Sequence, residues 1–148
     1  MNSLSSRPID ILIVEDNEGD ARLVKEALKG KMYFNSVHIV KDGLAAMDFL
    51  YKRGEYSKIN VPDLIFLDLN LPGIDGREIL AEIKSSEKFK QIPVVIMTAS
   101  QAEEDILRSY DLHANCYIKK PLDMDQFINV VESLEDFWLS VVKLPPKE

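Results

Sequence analysis

The stretch LIFLDLNLP, residues 64–72, decides the fold of this chain. It is an apolar run of strand length that ends at Asp68 and breaks at Pro72. Aspartate is disfavoured in strands and in protein cores, so an acid at the end of a buried strand needs a reason. Two other apolar runs end in polar residues: ILIV at 11–14 runs into Glu15 and Asp16, and VVIM at 94–97 runs into Thr98. This pattern predicts a functional site as well as a core.

Apolar runs of strand length alternate along the chain with segments that carry apolar residues at helical spacing. The predicted strands are 9–14, 37–40, 64–67, 92–97 and 114–118, and the predicted helices are 16–29, 43–50, 75–84, 100–110 and 124–142. Near-continuous apolar strands between helices are typical of a parallel sheet covered on both faces. We therefore predict a doubly wound α/β fold with strand order 2-1-3-4-5 and a ligand site at the carboxyl ends of strands 1 and 3.

Length and composition narrow the class of protein. The 148 residues fit one domain, with a core at about 9–142 and short flexible ends. A net charge of −7 does not suit a nucleic-acid or membrane-surface partner. A single cysteine, Cys116, excludes an internal disulfide, and neither a secretory signal nor a membrane-spanning run is evident. We expect a cytoplasmic protein.

Three acids, Glu15, Asp16 and Asp68, should meet at one edge of this sheet. Two carboxylates about 4 Å apart repel by roughly 4 kcal/mol at an effective dielectric near 20, so such a cluster raises a pKa or binds a cation. With oxygen ligands the cation should be hard, either Mg²⁺ or Mn²⁺. Thr98 and Lys120 follow the fourth and fifth strands, where a hydroxyl and an ammonium suit phosphoryl oxygens.

Each of these residues also has an ordinary structural interpretation. Asp16 could cap the first helix, and Asp68 could begin a turn before Pro72. Thr98 alone is a common strand residue, and Lys120 alone would be a surface lysine. Their order and spacing together favour the functional interpretation.

Over about residues 9–142 the chain resembles the receiver domain of two-component response regulators, which has the CheY-like fold. The motifs that carry the resemblance are, in order, Glu15-Asp16, the run DLNLPG at 68–73 with Asp75-Gly76, Thr98-Ala99, and YIKKP at 117–121. Each motif is weak alone, and the ordered set is specific.

The resemblance implies a mechanism. Asp68 would accept a phosphoryl group from a phosphohistidine of a sensor histidine kinase. Thr98 and Lys120 would bind the acyl phosphate, and Tyr117 would be the switch aromatic that turns inward. Lys119 is the other candidate for the phosphate-binding lysine. Lys120 is favoured because it directly precedes a proline.

The resemblance also implies a set of metal ligands. Asp16, Asp68 and the backbone carbonyl of Asn70 would hold Mg²⁺, or Mn²⁺ in its place, and Glu15 would hold it through water. The protein would then be a phosphoryl acceptor with at most slow self-dephosphorylation, and not an enzyme.

Two departures from a minimal receiver point to a subfamily. The stretch 53–61 is longer, and the last predicted helix continues through Phe137-Trp138-Leu139. Both features resemble single-domain regulators that work with bacterial phytochrome-type kinases. The large apolar residues late in that helix favour a homodimer through the C-terminal part, with simple extension of the core as the alternative.

Two other functions are compatible with parts of this pattern. A phosphatase of the haloacid-dehalogenase type uses the same aspartyl-phosphate chemistry but needs a second aspartate where this chain has Asn70. An interaction module that works without phosphorylation would have lost an acid or the lysine, and this chain keeps both.

Overall fold

The computed structural model describes residues 9–29, 34–98 and 116–140, except for the side chains of 34, 35, 116, 131 and 134–140. Five strands form one sheet: β1 (Ile9–Val14), β2 (Phe34–Val40), β3 (Leu64–Asp68), β4 (Val94–Thr98) and β5 (Cys116–Lys119). Their order is β2-β1-β3-β4-β5, and all four pairings are parallel. The predicted fold class and strand order are confirmed.

Four helices are described: α1 (Glu18–Leu28), α2 (Gly43–Leu50), α3 (Gly76–Ser85) and the C-terminal helix (Met124–Ser140). The first three begin at a polar side chain that accepts a hydrogen bond from the first turn: Asn17 for α1, Asp42 for α2 and Asp75 for α3. Asp75 and Glu78 form a reciprocal capping box at the start of α3. The predicted helix at 100–110 lies outside the described residues.

The strand residues alternate between two buried clusters, one on each face of the sheet. One face packs against α2 and α3 through residues such as Phe49, Leu67 and Ile79. The other packs against α1 and the C-terminal helix, where the rings of Phe66 and Phe127 lie 5.5 Å apart. Because both faces are covered, the buried polar side chains lie near the two edges where strands begin and end.

The register of the strands brings the polar residues of the carboxyl edge together. Val14 pairs with Leu67, so the residues that follow them, Glu15 and Asp68, end neighbouring strands. Thr98 pairs with Lys119, which places Lys120 just beyond the end of β5. Among the described residues, no helix is long and apolar enough to cross a bilayer.

Several predicted boundaries shift by a few residues. β2 begins at Phe34 instead of residue 37, β4 begins at Val94 instead of 92, and β3 includes Asp68 itself. α1 begins at Glu18 and not at residue 16, because Asn17 is its cap. The loop after α2 contains a short 3₁₀ turn at Gly54–Tyr56.

Candidate functional site

Three carboxylates meet at the carboxyl edge of the sheet. Glu15 and Asp16 directly follow β1, Asp68 ends β3, and each offers an oxygen within 4.8 Å of the others. Glu15 and Asp68 are buried, at 1% and 2% exposure, whereas Asp16 is exposed. The cluster therefore has a buried floor and one acid that faces solvent.

Asp68 is held in place by the backbone amides of the two residues that follow it. The amide of Leu69 donates to the carbonyl of Met97 at 3.1 Å, which keeps the strand end against β4. The amide of Asn70 donates to Asp68 Oδ1 at 3.0 Å and so sets the orientation of the carboxylate. Asp68 Oδ2 remains directed toward Lys120.

Glu15 is held in the same way and is unusually desolvated. Its backbone amide donates to the carbonyl of Val40 at 3.0 Å, and its Oε2 accepts from the amide of Asn17 at 3.1 Å. Burial raises the pKa of Glu15 to about 7; the contact with Lys120 opposes this shift, and the neighbouring Asp68 carboxylate adds to it. A carboxyl group with this pKa can bind a proton or a cation near neutrality.

Lys120 is the counter-ion of the cluster. Its Nζ lies 2.9 Å from Glu15 Oε1 and 3.2 Å from Asp68 Oδ2. The contact with Glu15 Oε1 lacks hydrogen-bond alignment, so it is an ion pair only. Burial alone would lower the pKa of Lys120, but the ion pairs with Glu15, Asp68 and Asp20 outweigh it and raise that pKa. The adjacent Lys119 is exposed.

A backbone hydrogen bond ties Lys120 to the end of β4: its amide donates to the carbonyl of Thr98 at 2.8 Å. The Lys120–Pro121 peptide bond is cis. Thr98 ends β4 and is 2% exposed, which places it in the buried part of the same edge. Tyr117 lies on β5 opposite Ile96 of β4, is half-buried and packs against the cluster of α2 and α3.

A fourth carboxylate, which was not predicted from the sequence, also contacts Lys120. Asp20, in the first turn of α1, has its Oδ2 3.1 Å from Lys120 Nζ. Asp20 follows no strand, so the pattern that identified the other acids did not include it.

The family model of the response regulator receiver domain matches residues 11–132. The chain belongs to this family. In this receiver domain Glu15, Asp16, Asp68, Thr98 and Lys120 lie together at the carboxyl edge of the sheet.

Similar proteins and structures support the same family. The response regulator Rcp1 of a Synechocystis species is 48% identical over 145 residues, which cover 98% of this chain and 99% of Rcp1. The crystal structure of the phosphorylated cyanobacterial phytochrome response regulator RcpA is 49% identical, covers 95% of this chain and 100% of that chain, and has a TM-score of 0.80. The bacteriophytochrome response regulator RtBRR is 38% identical, covers 95% of this chain and 85% of that chain, and has a TM-score of 0.79.

The acids of this receiver domain fit a hard divalent cation. All the clustered side-chain donors are carboxylate oxygens, the type that Mg²⁺ and Mn²⁺ prefer. Glu15 Oε1 is buried and meets the Lys120 ammonium at 2.9 Å without hydrogen-bond alignment, so it can also accept from a water bound to a cation. A divalent metal ion therefore suits this site in charge and in ligand type.

Proposed function

We propose that this receiver domain accepts a phosphoryl group on Asp68 from a sensor histidine kinase and signals through the resulting change of shape. The observation that supports this most directly is the position of Asp68 Oδ2, 3.2 Å from Lys120 Nζ, among other acids at the edge of the sheet. The acid that ends β3 thus lies beside a cation that could stabilise phosphoryl oxygens.

The proposed step is a phosphoryl transfer between two side chains. A carboxylate oxygen of Asp68 forms a bond to phosphorus as the bond from phosphorus to the kinase imidazole nitrogen breaks. The imidazole keeps the electron pair of that bond and takes up a proton. The Lys120 ammonium and the Thr98 hydroxyl would then bind oxygens of the new acyl phosphate.

A divalent cation completes this proposal. Asp16, Asp68 and the backbone carbonyl of Asn70 would hold Mg²⁺ directly, and Glu15 would hold it through water. When bound, the ion supplies positive charge that offsets the acids and the incoming phosphoryl oxygens. The relative Rcp1 has been solved in an Mn²⁺-bound form, which supports a metal at the corresponding acids.

The switch that we propose runs from Thr98 to Tyr117. Thr98 would move toward the acyl phosphate, and Tyr117 would turn further into the space that this movement leaves. Phosphorylation would thus shift an equilibrium between two arrangements of the same fold. The output is a protein contact, and we propose no enzymatic activity beyond slow self-dephosphorylation.

Partners follow from the relatives. Because RcpA and RtBRR are described as phytochrome and bacteriophytochrome response regulators, we propose a phytochrome-type histidine kinase as the phosphoryl donor. We also propose that the chain is one receiver domain that acts in the cytoplasm and forms a homodimer through its C-terminal part.

The test is covalent labelling of the intact protein. Incubation with acetyl phosphate and Mg²⁺ should add one phosphoryl group, detected as a mass increase. Asp68→Asn should abolish the increase, because an amide oxygen is a far weaker nucleophile than a carboxylate oxygen. Asp125→Asn, which removes an exposed acid of the C-terminal helix, should label like the wild type. An unlabelled wild type, or a labelled Asp68→Asn protein, would contradict the proposal.

A further inference from the structure

Lys120 has more negative neighbours than phosphoryl binding requires. Its Nζ lies within 3.2 Å of carboxylate oxygens of Glu15, Asp20 and Asp68. Glu15 and Asp68 belong to the acid cluster, whereas Asp20 comes from α1 and is outside it. This leaves Asp20 without a role in the mechanism described so far.

We propose that Asp20 is a positioning residue that holds Lys120 toward α1 and competes with the phosphoryl group for its ammonium. This inference rests on the proposed phosphorylation of Asp68. In the protein before phosphoryl transfer, Lys120 is shared among three acids. To bind the acyl phosphate it must give up at least part of this arrangement, and Asp20 is the partner that it releases.

Burial indicates why Asp20 is the partner that is released. The side chains of Glu15 and Asp68 are 0% and 2% exposed, but that of Asp20 is 27% exposed. An acid that loses a buried partner is left as an uncompensated charge at high cost, whereas a partly exposed acid is rehydrated by water. The Asp20 contact is therefore the least costly of the three to break.

The backbone of Asp20 keeps its carboxylate within reach of Lys120. The amide of Asp20 donates to the side chain of Asn17 at 2.8 Å, and Asn17 in turn donates to Glu15 Oε2 at 3.1 Å. The start of α1 is thus tied to the floor of the site. The backbone of Asp20 therefore stays close to Lys120, while its carboxylate can still be released from the ammonium.

The alternative role for Asp20 is a general one, namely an acid that favours the amino end of a helix. Glu18 provides a matched comparison because it lies in the same first turn. Glu18 pairs with Lys41 Nζ at 2.8 Å and not with Lys120. Glu18→Gln therefore makes the same change of charge at the same helix end and leaves Lys120 with all its partners.

The experiment measures how tightly beryllofluoride, a phosphoryl mimic, binds in saturating Mg²⁺. Without Asp20 to compete, Asp20→Asn should bind it about two- to fivefold more tightly than the wild type, the range expected for one partly exposed ion pair. Glu18→Gln should match the wild type, and Asp20→Glu, which keeps an acid at this position, should also bind like the wild type.

A second readout follows Lys120 directly. The NMR signal of its ε-methylene group, assigned by its loss in Lys120→Arg, should shift when beryllofluoride binds. In free Asp20→Asn this signal should already lie closer to its bound position, whereas in Glu18→Gln it should not move.

The outcomes separate the two proposals. If the wild type binds no beryllofluoride and is not labelled by acetyl phosphate, the proposed function fails, and this inference fails with it. If the wild type behaves as expected but Asp20→Asn matches Glu18→Gln in affinity and in the Lys120 signal, only the role of Asp20 is overturned. Weaker binding by Asp20→Asn would overturn it as well.

Discussion

Buried acids occur at both edges of the sheet, but their hydrogen-bond and ion-pair partners differ between the two edges. At the amino edge, Asp10 is 4% exposed and accepts hydrogen bonds from Ser36 at 2.7 Å and from Asn60 at 3.2 Å. Asp63 beside it accepts from the amide of Asp10 at 2.9 Å. These neutral donors satisfy the acids and hold the strands together. At the carboxyl edge one ammonium serves several acids, which leaves lone pairs for a ligand.

Glu15 should make the metal-free protein less stable as the pH rises. Burial raises the pKa of its carboxyl group from 4.5 to about 7, so between these values the folded state holds a proton that the unfolded state has lost. Its contribution to the free energy of unfolding is greatest below pH 4.5, falls as the pH rises, and levels off above about 7.

Urea denaturation across this pH range should show the effect as a difference between proteins. The wild type should lose on the order of 1 kcal/mol per pH unit relative to Glu15→Gln, which cannot titrate. Glu87→Gln, which removes an acid that is 89% exposed, is the control and should follow the wild type. If the free energy of unfolding depends on pH in the same way for the wild type and Glu15→Gln, then Glu15 has the same pKa in the folded and unfolded states, and the prediction is wrong.

The residue patterns predicted some site residues and not others for a physical reason. Asp68 and Glu15 were recognisable because each ends an apolar strand, which is an unusual place for an acid. Asp20 was not recognisable, because an acid in the first turn of a helix is common and its contact with Lys120 depends on how α1 lies against the end of β5. The residues around Asp20 in the sequence do not predict that contact.

At the scale of elements, three helices begin where their preceding strands end. Asn17, Asp42 and Asp75 cap α1, α2 and α3 with their side chains, and these helices follow β1, β2 and β3. In a parallel sheet the carboxyl ends of the strands and the amino ends of the following helices share one edge. That edge gathers partial positive charge from the helices, which favours an anionic ligand there.

Gly76 allows α3 to begin directly against the end of β3. A Cβ atom at this position would lie 2.5 Å from the carbonyl oxygen of Asp68 and 2.6 Å from the Cα of Leu69. Since these are backbone atoms, Gly76→Ala should displace the strand end that carries Asp68. We expect a loss of about 1–3 kcal/mol in stability, as for an overpacked core, and slower labelling by acetyl phosphate.

Gly19→Ala is the control for this substitution. Its added Cβ would meet only the side chain of Asn17, at 3.3 Å, and alanine favours a helix over glycine by roughly 0.5–1 kcal/mol. Thermal denaturation and the labelling rate should therefore separate the two variants. Equal behaviour of Gly76→Ala and the wild type would contradict the close approach of α3 to β3.

Element types were predictable from periodicity, whereas element ends depended on contacts between strands. Residues 34–36 read FNS, which is not an apolar run, yet they extend β2 because Phe34 and Ser36 pair with the start of β1. Ile92 belongs to an apolar run but lies outside β4. Pro93 follows it and has no backbone N–H, so Pro93 contributes only its carbonyl to the sheet, which accepts from the amide of Ile65 at 3.1 Å. Pairing partners, and not local sequence, set these limits.

At the scale of the whole molecule, the C-terminal helix begins as part of the core. Phe127 is fully buried, and Ile128 and Val130 pack against the same cluster. The sequence carries the apolar stripe further, to Phe137 and Trp138, where the side chains lie outside those described. The homodimer that we propose would use this continuation.

The homodimer makes a prediction about mass in solution. Sedimentation should give twice the 16.9 kDa mass of the chain, both with and without Mg²⁺ and beryllofluoride. Trp138→Ala should shift the protein toward monomers, because a large aromatic side chain at the centre of an interface often contributes 2 kcal/mol or more to association, a change of about 30-fold or more in the dissociation constant. Leu44→Ala, which shortens a side chain that is 62% exposed on α2, should leave the mass unchanged. A mass of one chain in every condition would mean that the apolar stripe of the helix only extends the core.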